Sequence, residues 1–202
     1  MHAEARHFMD WVRLALPQCF AAGSRALDVG GGDINGNNRA YFEGCEYVAN
    51  DVMAGPNVDL VCATAELAFP DGHFDTIVST ECFEHDMHYE ASLRNILRML
   101  RPGGLFAFTC ATTGRPEHGT LRTSGQDSFT TQLGGAWSAY YKNLTEADVA
   151  AALGGLPQAF AAHAAYVNHQ SHDLYFLGIK APVAARDTPC RAVALPAFAF
   201  AE

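Results

Sequence analysis

The chain has 202 residues, 49% of them hydrophobic, and a formal charge of −9. That length and apolar content suit one domain with a full core and exclude a largely disordered chain. The acidic balance argues against duplex nucleic acid as a partner, which calls for a basic face. In chain order, residues 2–16 read as a helix, with Phe8, Trp11, Val12, Ala15 and Leu16 at helical spacing and Pro17 as the stop. A first strand is expected from Ser24 to Val29, a short helix around Arg39 to Phe42, and a second strand from Glu46 to Asn50 with Asp51 at its tip. Further strands are expected at Val58 to Cys62, Phe74 to Ser79 and Leu105 to Cys110. The clearest helix is 89–100, stopped by Arg101-Pro102-Gly103-Gly104.

Strand and helix alternate through this half, which predicts a mostly parallel sheet with helices on both faces. After Cys110 the rhythm breaks. Residues 111–143 are rich in Gly, Thr and Ser, and a connection so long inside a compact domain reads as a substrate loop or lid. Thr145 is placed to cap a helix closed by Gly154-Gly155. Ala164 to Asn168 and Leu174 to Lys180 read as a terminal hairpin. The domain is thus expected over 1–180, with an extended tail over 181–202 that offers a contact for a second copy. Six cysteines fall in no zinc spacing and read as reduced thiols of a cytoplasmic protein. No apolar run approaches the roughly 20 residues of a membrane span, and charged residues break any signal-peptide core.

The stretch Leu27-Asp28-Val29-Gly30-Gly31-Gly32-Asp33 concentrates the functional signal. A buried strand runs straight into glycines, so backbone rather than side chain would meet a ligand at the carboxyl end of the sheet. Asp51 stands about twenty residues on, where a second strand would end in a carboxylate for a ribose.

Asp28-Val29-Gly30-Gly31-Gly32 resembles the D-x-G-x-G signature of class I S-adenosylmethionine-dependent methyltransferases. Pro70 to Asp75 resembles the loop into their fourth strand, Glu84-His85 the E-H after it, and Leu97 to Gly104 their L-x-x-x-L-R-P-G-G close. The likeness spans roughly 24–112 and implies a Rossmann-like seven-stranded sheet ending in an antiparallel strand. It also implies S-adenosyl-L-methionine as cofactor. Gly30, Gly31 and Gly32 would admit its methionyl part, with Asp28 ordering the bend or meeting the amino group through water. Asp51 would take the ribose hydroxyls, Val52 or Met53 the adenine face, Thr64 the adenine edge, and Thr80 with Glu81 the sulfonium end. Two residues depart from the family pattern: Ile34 stands where its third glycine falls, and Ala63 where an acid often precedes the adenine contact. Stretches such as Gly114 to Thr120 and Tyr140 to Leu144 resemble a subgroup found beside bacterial and phage surface-sugar genes. That association points to O-methylation of a glycan or small metabolite.

A hydroxyl acceptor must lose a proton, and histidine is the natural base near neutral pH. His118, in the glycine-bounded loop Glu117-His118-Gly119, is one candidate, against a solvated loop histidine. His85 is a second, against a helix-start histidine bonded to backbone. Glu81 is a third, against a plain hydrogen-bonding group. His85, Asp86 and His88 fall short of a metal site, so no metal is expected. Two alternatives stay open. A nicotinamide oxidoreductase would need G-x-G-x-x-G, but the glycines at 30, 32 and 36 miss it by one residue. A non-catalytic partner domain of the same shape would not need Gly30, Gly32 and Asp51 intact.

Overall fold

The computed structural model describes residues 1–182 together with Leu195 and Ala197. The tail expected over 181–202 therefore lies largely outside the described residues, as does Cys190. Cys19, Cys45, Cys62, Cys82 and Cys110 are free thiols.

One seven-stranded sheet organises the chain, in the order β3-β2-β1-β4-β5-β7-β6. Its strands are β1 (Arg25–Val29), β2 (Glu46–Asp51), β3 (Leu60–Val61), β4 (Phe74–Thr80), β5 (Leu100–Ala111), β6 (Phe160–Asn168) and β7 (Asp173–Lys180). β1, β2, β3, β4 and β5 pair in parallel, while β7 runs antiparallel to both β5 and β6. This is the Rossmann-like arrangement expected, with the reversed strand inserted between β5 and β6. The central strands are apolar on both faces, because helices cover both. On one side α2 (Tyr89–Met99) and α3 (Glu146–Leu153) bury Leu93, Ile96, Val149 and Ala152 against Leu27, Ile77 and Phe108. On the other, α1 (Ala3–Ala15) buries Phe8, Met9 and Val12 against Val78, Leu105 and Leu177. Phe8 stacks on Tyr175, with ring centroids 5.0 Å apart.

Thr145 and Asp148 form a reciprocal capping box at the start of α3, as their spacing predicts. Several boundaries differ from expectation, each for a local reason. β3 is cut to two residues, since it pairs only with Asn50 and Asp51 after the turn at Pro56-Asn57. β5 starts five residues early at Leu100, which pairs with Phe74 before the chain bulges through Pro102 to Gly104 and rejoins at Leu105. A four-residue helix, α4 (Leu156–Ala159), carries Pro157 in its first turn and delivers the chain into β6 at Phe160. Beyond Ala111, the last residue of β5, residues 112–143 hold no strand, only 3-10 turns at Gly125–Asp127, Phe129–Leu133 and Trp137–Ala139. No described helix is long and apolar enough to cross a membrane.

Candidate active site

The carboxyl ends of β1, β2 and β4 open into a cavity of about 340 Å³. Strand ends in an open α/β sheet are where ligands settle, because the connections there part to either side. At its floor Gly30 has φ +64°, and a Cβ there would stand 2.3 Å from Cys82 Sγ. Only glycine allows that turn in that space. Gly31 N–H donates to the Asn50 carbonyl at 3.0 Å, and Asn57 Nδ2 donates to the Gly31 carbonyl at 2.6 Å. The bend is thereby tied to β2 and to the turn after it. A Cβ on Gly32 would fall 2.7 Å from Asp51 Oδ2 and 2.1 Å from the Phe129 ring. Any side chain at Gly32 would fill the space that a ligand pressed on this backbone needs.

Asp51 lines the cavity, its Oδ2 accepting from Gly32 N–H at 3.1 Å and its Oδ1 from Val52 N–H at 2.7 Å. Burial raises its pKa, against those two backbone donors. Asp28 is buried beneath the bend. It accepts from Tyr47 Oη at 2.6 Å and Asn38 Nδ2 at 3.0 Å, and Asn38 Nδ2 also reaches Thr80 Oγ1 at 3.2 Å. This Tyr47–Asp28–Asn38–Thr80 chain links β1, β2 and β4 beneath the bend. Burial pushes Asp28 up to about 6, opposed by its Tyr47 and Asn38 partners. Thr64 is buried and receives Asn50 Nδ2 on its hydroxyl at 3.0 Å. Val52, Thr64 and Thr80 line the cavity, whereas Met53 lies outside its lining.

Glu81 follows β4 with φ 56°, a left-handed conformation that a non-glycine residue adopts at some cost. Its amide donates to the Thr109 carbonyl at 2.9 Å and its Oε1 accepts from the Thr109 hydroxyl at 2.7 Å. Its Oε2 faces His2 Nε2 at 3.0 Å, where α1 begins. Burial acts to raise Glu81, but the His2 contact prevails and holds it below the usual range.

The far wall comes from the 111–143 connection. Arg115, His118, Asp127, Ser128, Phe129, Thr130 and Trp137 all line the cavity. His118 and His85 meet edge to face with centroids 5.2 Å apart, and Tyr141 packs on both at 5.2 and 5.6 Å. His118 Nδ1 lies 3.2 Å from the Pro116 carbonyl and its Nε2 3.9 Å from Glu84 Oε1. Burial, and then the His118 charge, push His85 down to about 4. Burial beside Glu81 raises Glu84 well above the usual carboxylate range. Asp86 takes the Ser92 hydroxyl at 2.5 Å and the His88 amide at 2.8 Å, so it serves the start of α2. His88 packs edge to face on Trp137. The trio His85, Asp86 and His88 does not converge; Glu84, His85 and His118 do.

Glu81, His85 and His118 therefore border the same cavity as the glycine bend and Asp51. Sequence reading missed Asn38, Tyr47, Phe129, Trp137 and the carboxylate of Glu84. Asn38 closes the polar run after the glycines and Glu84 sits in the E-H motif, so both had a signal. Phe129 and Trp137 are placed by the fold of a loop without periodicity.

Residues 25–108 match the methyltransferase-domain family. Over 55 residues the chain is 46% identical to a ubiquinone/menaquinone biosynthesis C-methyltransferase UbiE of Pseudomonas fluorescens (strain Pf0-1), covering 27% of this chain and 22% of that protein. The chain thus spans about a fifth of the length of the first such relatives. Its fold resembles the 1,6-didemethyltoxoflavin-N1-methyltransferase of Burkholderia thailandensis, solved with bound 1,6-didemethyltoxoflavin and S-adenosylhomocysteine. That match has TM-score 0.59 and 20% identity over 89% of this chain and 79% of that one. It also resembles phosphoethanolamine N-methyltransferase 2 of Haemonchus contortus, with TM-score 0.58 and 18% identity over 87% of this chain and 52% of the other. Residues 25–108 thus resemble a methyltransferase domain, and the chain shares its fold with these solved methyltransferases.

Proposed function

We propose that the chain methylates a hydroxyl of a small molecule or sugar, using S-adenosyl-L-methionine. One observation carries this reading: the side-chain-free bend at Gly30–Gly32 and the Asp51 carboxylate face a single cavity at the ends of β1 and β2. When bound, the cofactor supplies a methyl carbon already activated by a sulfonium, which leaves alignment and exclusion of water to the protein. Asp51 takes the ribose diol, because a carboxylate has about four acceptor sites and only two are used internally. Val52 and Thr64 border the adenine, and Thr80 and Glu81 the methionyl end. Asp28, which also lines the cavity, holds the bend through Asn38 and Tyr47.

The acceptor enters on the side of the 111–143 connection, which serves as the lid. Trp137 offers a ring face to a sugar or a planar metabolite. His118 is the first candidate for the hydroxyl proton, with Nδ1 held by the Pro116 carbonyl and Nε2 on the cavity side, and His85 stands behind it. Glu81 is tied up by Thr109 and His2, which suits it to hydrogen bonding more than to proton transfer. The resemblance to a surface-sugar subgroup favours oxygen over carbon or nitrogen as the acceptor atom. A tail contact between copies belongs to the same reading.

S-adenosylhomocysteine should raise the melting temperature by mass action and NAD should not. Asp51→Ala should weaken S-adenosylhomocysteine about 100-fold in calorimetry, the range for losing charged hydrogen bonds. Equal binding by parent and variant would remove the ribose assignment. A mass-spectrometric screen for one added methyl group across hydroxylated sugars and phenols tests the acceptor class.

A further inference from the structure

We propose that Glu84, His85 and His118 form a binding site for a divalent first-row transition cation at the acceptor end of the cavity. Each residue offers one ligand atom, and these atoms all lie within 4.8 Å of one another. Glu84 is wholly buried, and neither of its carboxylate oxygens has a well-formed hydrogen bond among the described residues, only the backbone amides of Glu84 and Ala111 standing near them. Buried polar atoms are normally satisfied, so a carboxylate without a well-formed bond marks a missing partner. His85 Nδ1 is also buried and without a partner.

His118 adds a tautomer argument. A carbonyl only accepts, so the contact at 3.2 Å between His118 Nδ1 and the Pro116 carbonyl fixes the proton on Nδ1. In the neutral ring this leaves a lone pair on Nε2, which faces Glu84 Oε1 at 3.9 Å. Metal-bound histidines are oriented in this way, by a carbonyl or carboxylate on the second nitrogen. Ligand atoms about 2.1 Å from one ion stand roughly 3.0–3.4 Å apart, so closure asks only for movements of less than about 1 Å.

Two imidazoles and one carboxylate suit Mn²⁺, Fe²⁺, Co²⁺ or Zn²⁺ better than Mg²⁺ or Ca²⁺, which prefer oxygen. A second group, His2, Glu81 and Asp173, also converges. There His2 Nε2 itself sits between Glu81 Oε2 at 3.0 Å and Asp173 Oδ2 at 3.4 Å as an ion-pair partner, and the Arg115 cation, 3.2 Å from Asp173 Oδ1, would repel an ion.

Three protein ligands leave coordination positions open, and His85 and His118 line the cavity. With the ion bound, an acceptor oxygen becomes a further ligand, its proton leaves to solvent water, and His118 holds the ion in place of the base role proposed for it above. This last role rests on the methyltransferase reading; the ion site itself does not.

The test is titration of the chelator-treated full chain with Zn²⁺ and with Co²⁺, read by calorimetry and by the visible spectrum of Co²⁺. One ion per chain is expected, with Mg²⁺ at least 100-fold weaker. Glu84→Gln and His118→Ala should each lose at least 100-fold, while Asp173→Asn and His88→Ala keep parental affinity. S-adenosylhomocysteine binding is measured on the same samples. Absence of ion binding, or binding that survives both Glu84→Gln and His118→Ala, overturns the proposal. If the nucleoside binds and the ion does not, the ion site alone fails; if the ion binds and the nucleoside does not, the methyltransferase reading fails and the site stands.

Discussion

The cavity has two sides built by different means. Its floor is backbone at the tips of β1 and β2, fixed by parallel pairing and by hydrogen bonds among Gly31, Asn50 and Asn57. Its wall is side chains, rings of Phe129, Trp137 and His118, the last backed by Tyr141, carried on a connection with only 3-10 turns. A floor of main chain accepts one ligand shape and tolerates almost no change. A wall of side chains can be re-cut for a new acceptor without disturbing the sheet, as expected where function is grafted onto a fold.

The sharpest way to break that contrast is Gly30→Val. The new side chain meets Cys82 and must hold a left-handed φ, so overpacking and strain together should cost about 4 kcal/mol in denaturant unfolding. A loss below about 1 kcal/mol would mean that the floor is as adaptable as the wall.

His85 joins the two sides and gives a pH signature. Burial holds its folded pKa near 4 against an ordinary 6.5, so the fold favours the neutral ring. Its contribution is fully present above pH 6.5, declines between 6.5 and about 4, and is gone below. That gap is worth about 3 kcal/mol at about 1.4 kcal/mol per pH unit. In metal-free protein, unfolding free energy should therefore fall less on acidification in His85→Gln than in the parent. Identical slopes would show that His85 is solvated in the folded state.

The smallest effect is expected on the wall. Phe129→Ala removes the ring over Gly32 and Gly55 and should weaken S-adenosylhomocysteine roughly fivefold, about 1 kcal/mol, with little change in stability. Tighter binding would instead identify Phe129 as a plug that the nucleoside must displace.

The floor was legible because its chemistry is local. A glycine run after an apolar strand permits few conformations, and an acid at the next strand end is placed by the sheet's register. Asp28 is the subtler case: its burial under the bend needed Tyr47 and Asn38, which sequence alone does not bring together. The wall was legible only as a long irregular stretch. Phe129 reaches Gly32 across almost a hundred residues, and no periodicity marks it. The convergence of Glu84 with His118 was hidden for the same reason. His85, Asp86 and His88 are neighbours in sequence, yet Asp86 turns away to bond the Ser92 hydroxyl of α2 while the partner on the 111–143 connection comes from thirty-three residues downstream of His85.

The placement of β7 bears on how the protein comes into being. Of the described strands it is made last, yet it occupies an interior position between β5 and β6. Until residues 173–180 emerge from the ribosome, the β5 margin has no mate and offers open amide and carbonyl groups to any passing strand. Chains halted near residue 170 should therefore clump rather than fold, whatever the integrity of their glycine bend.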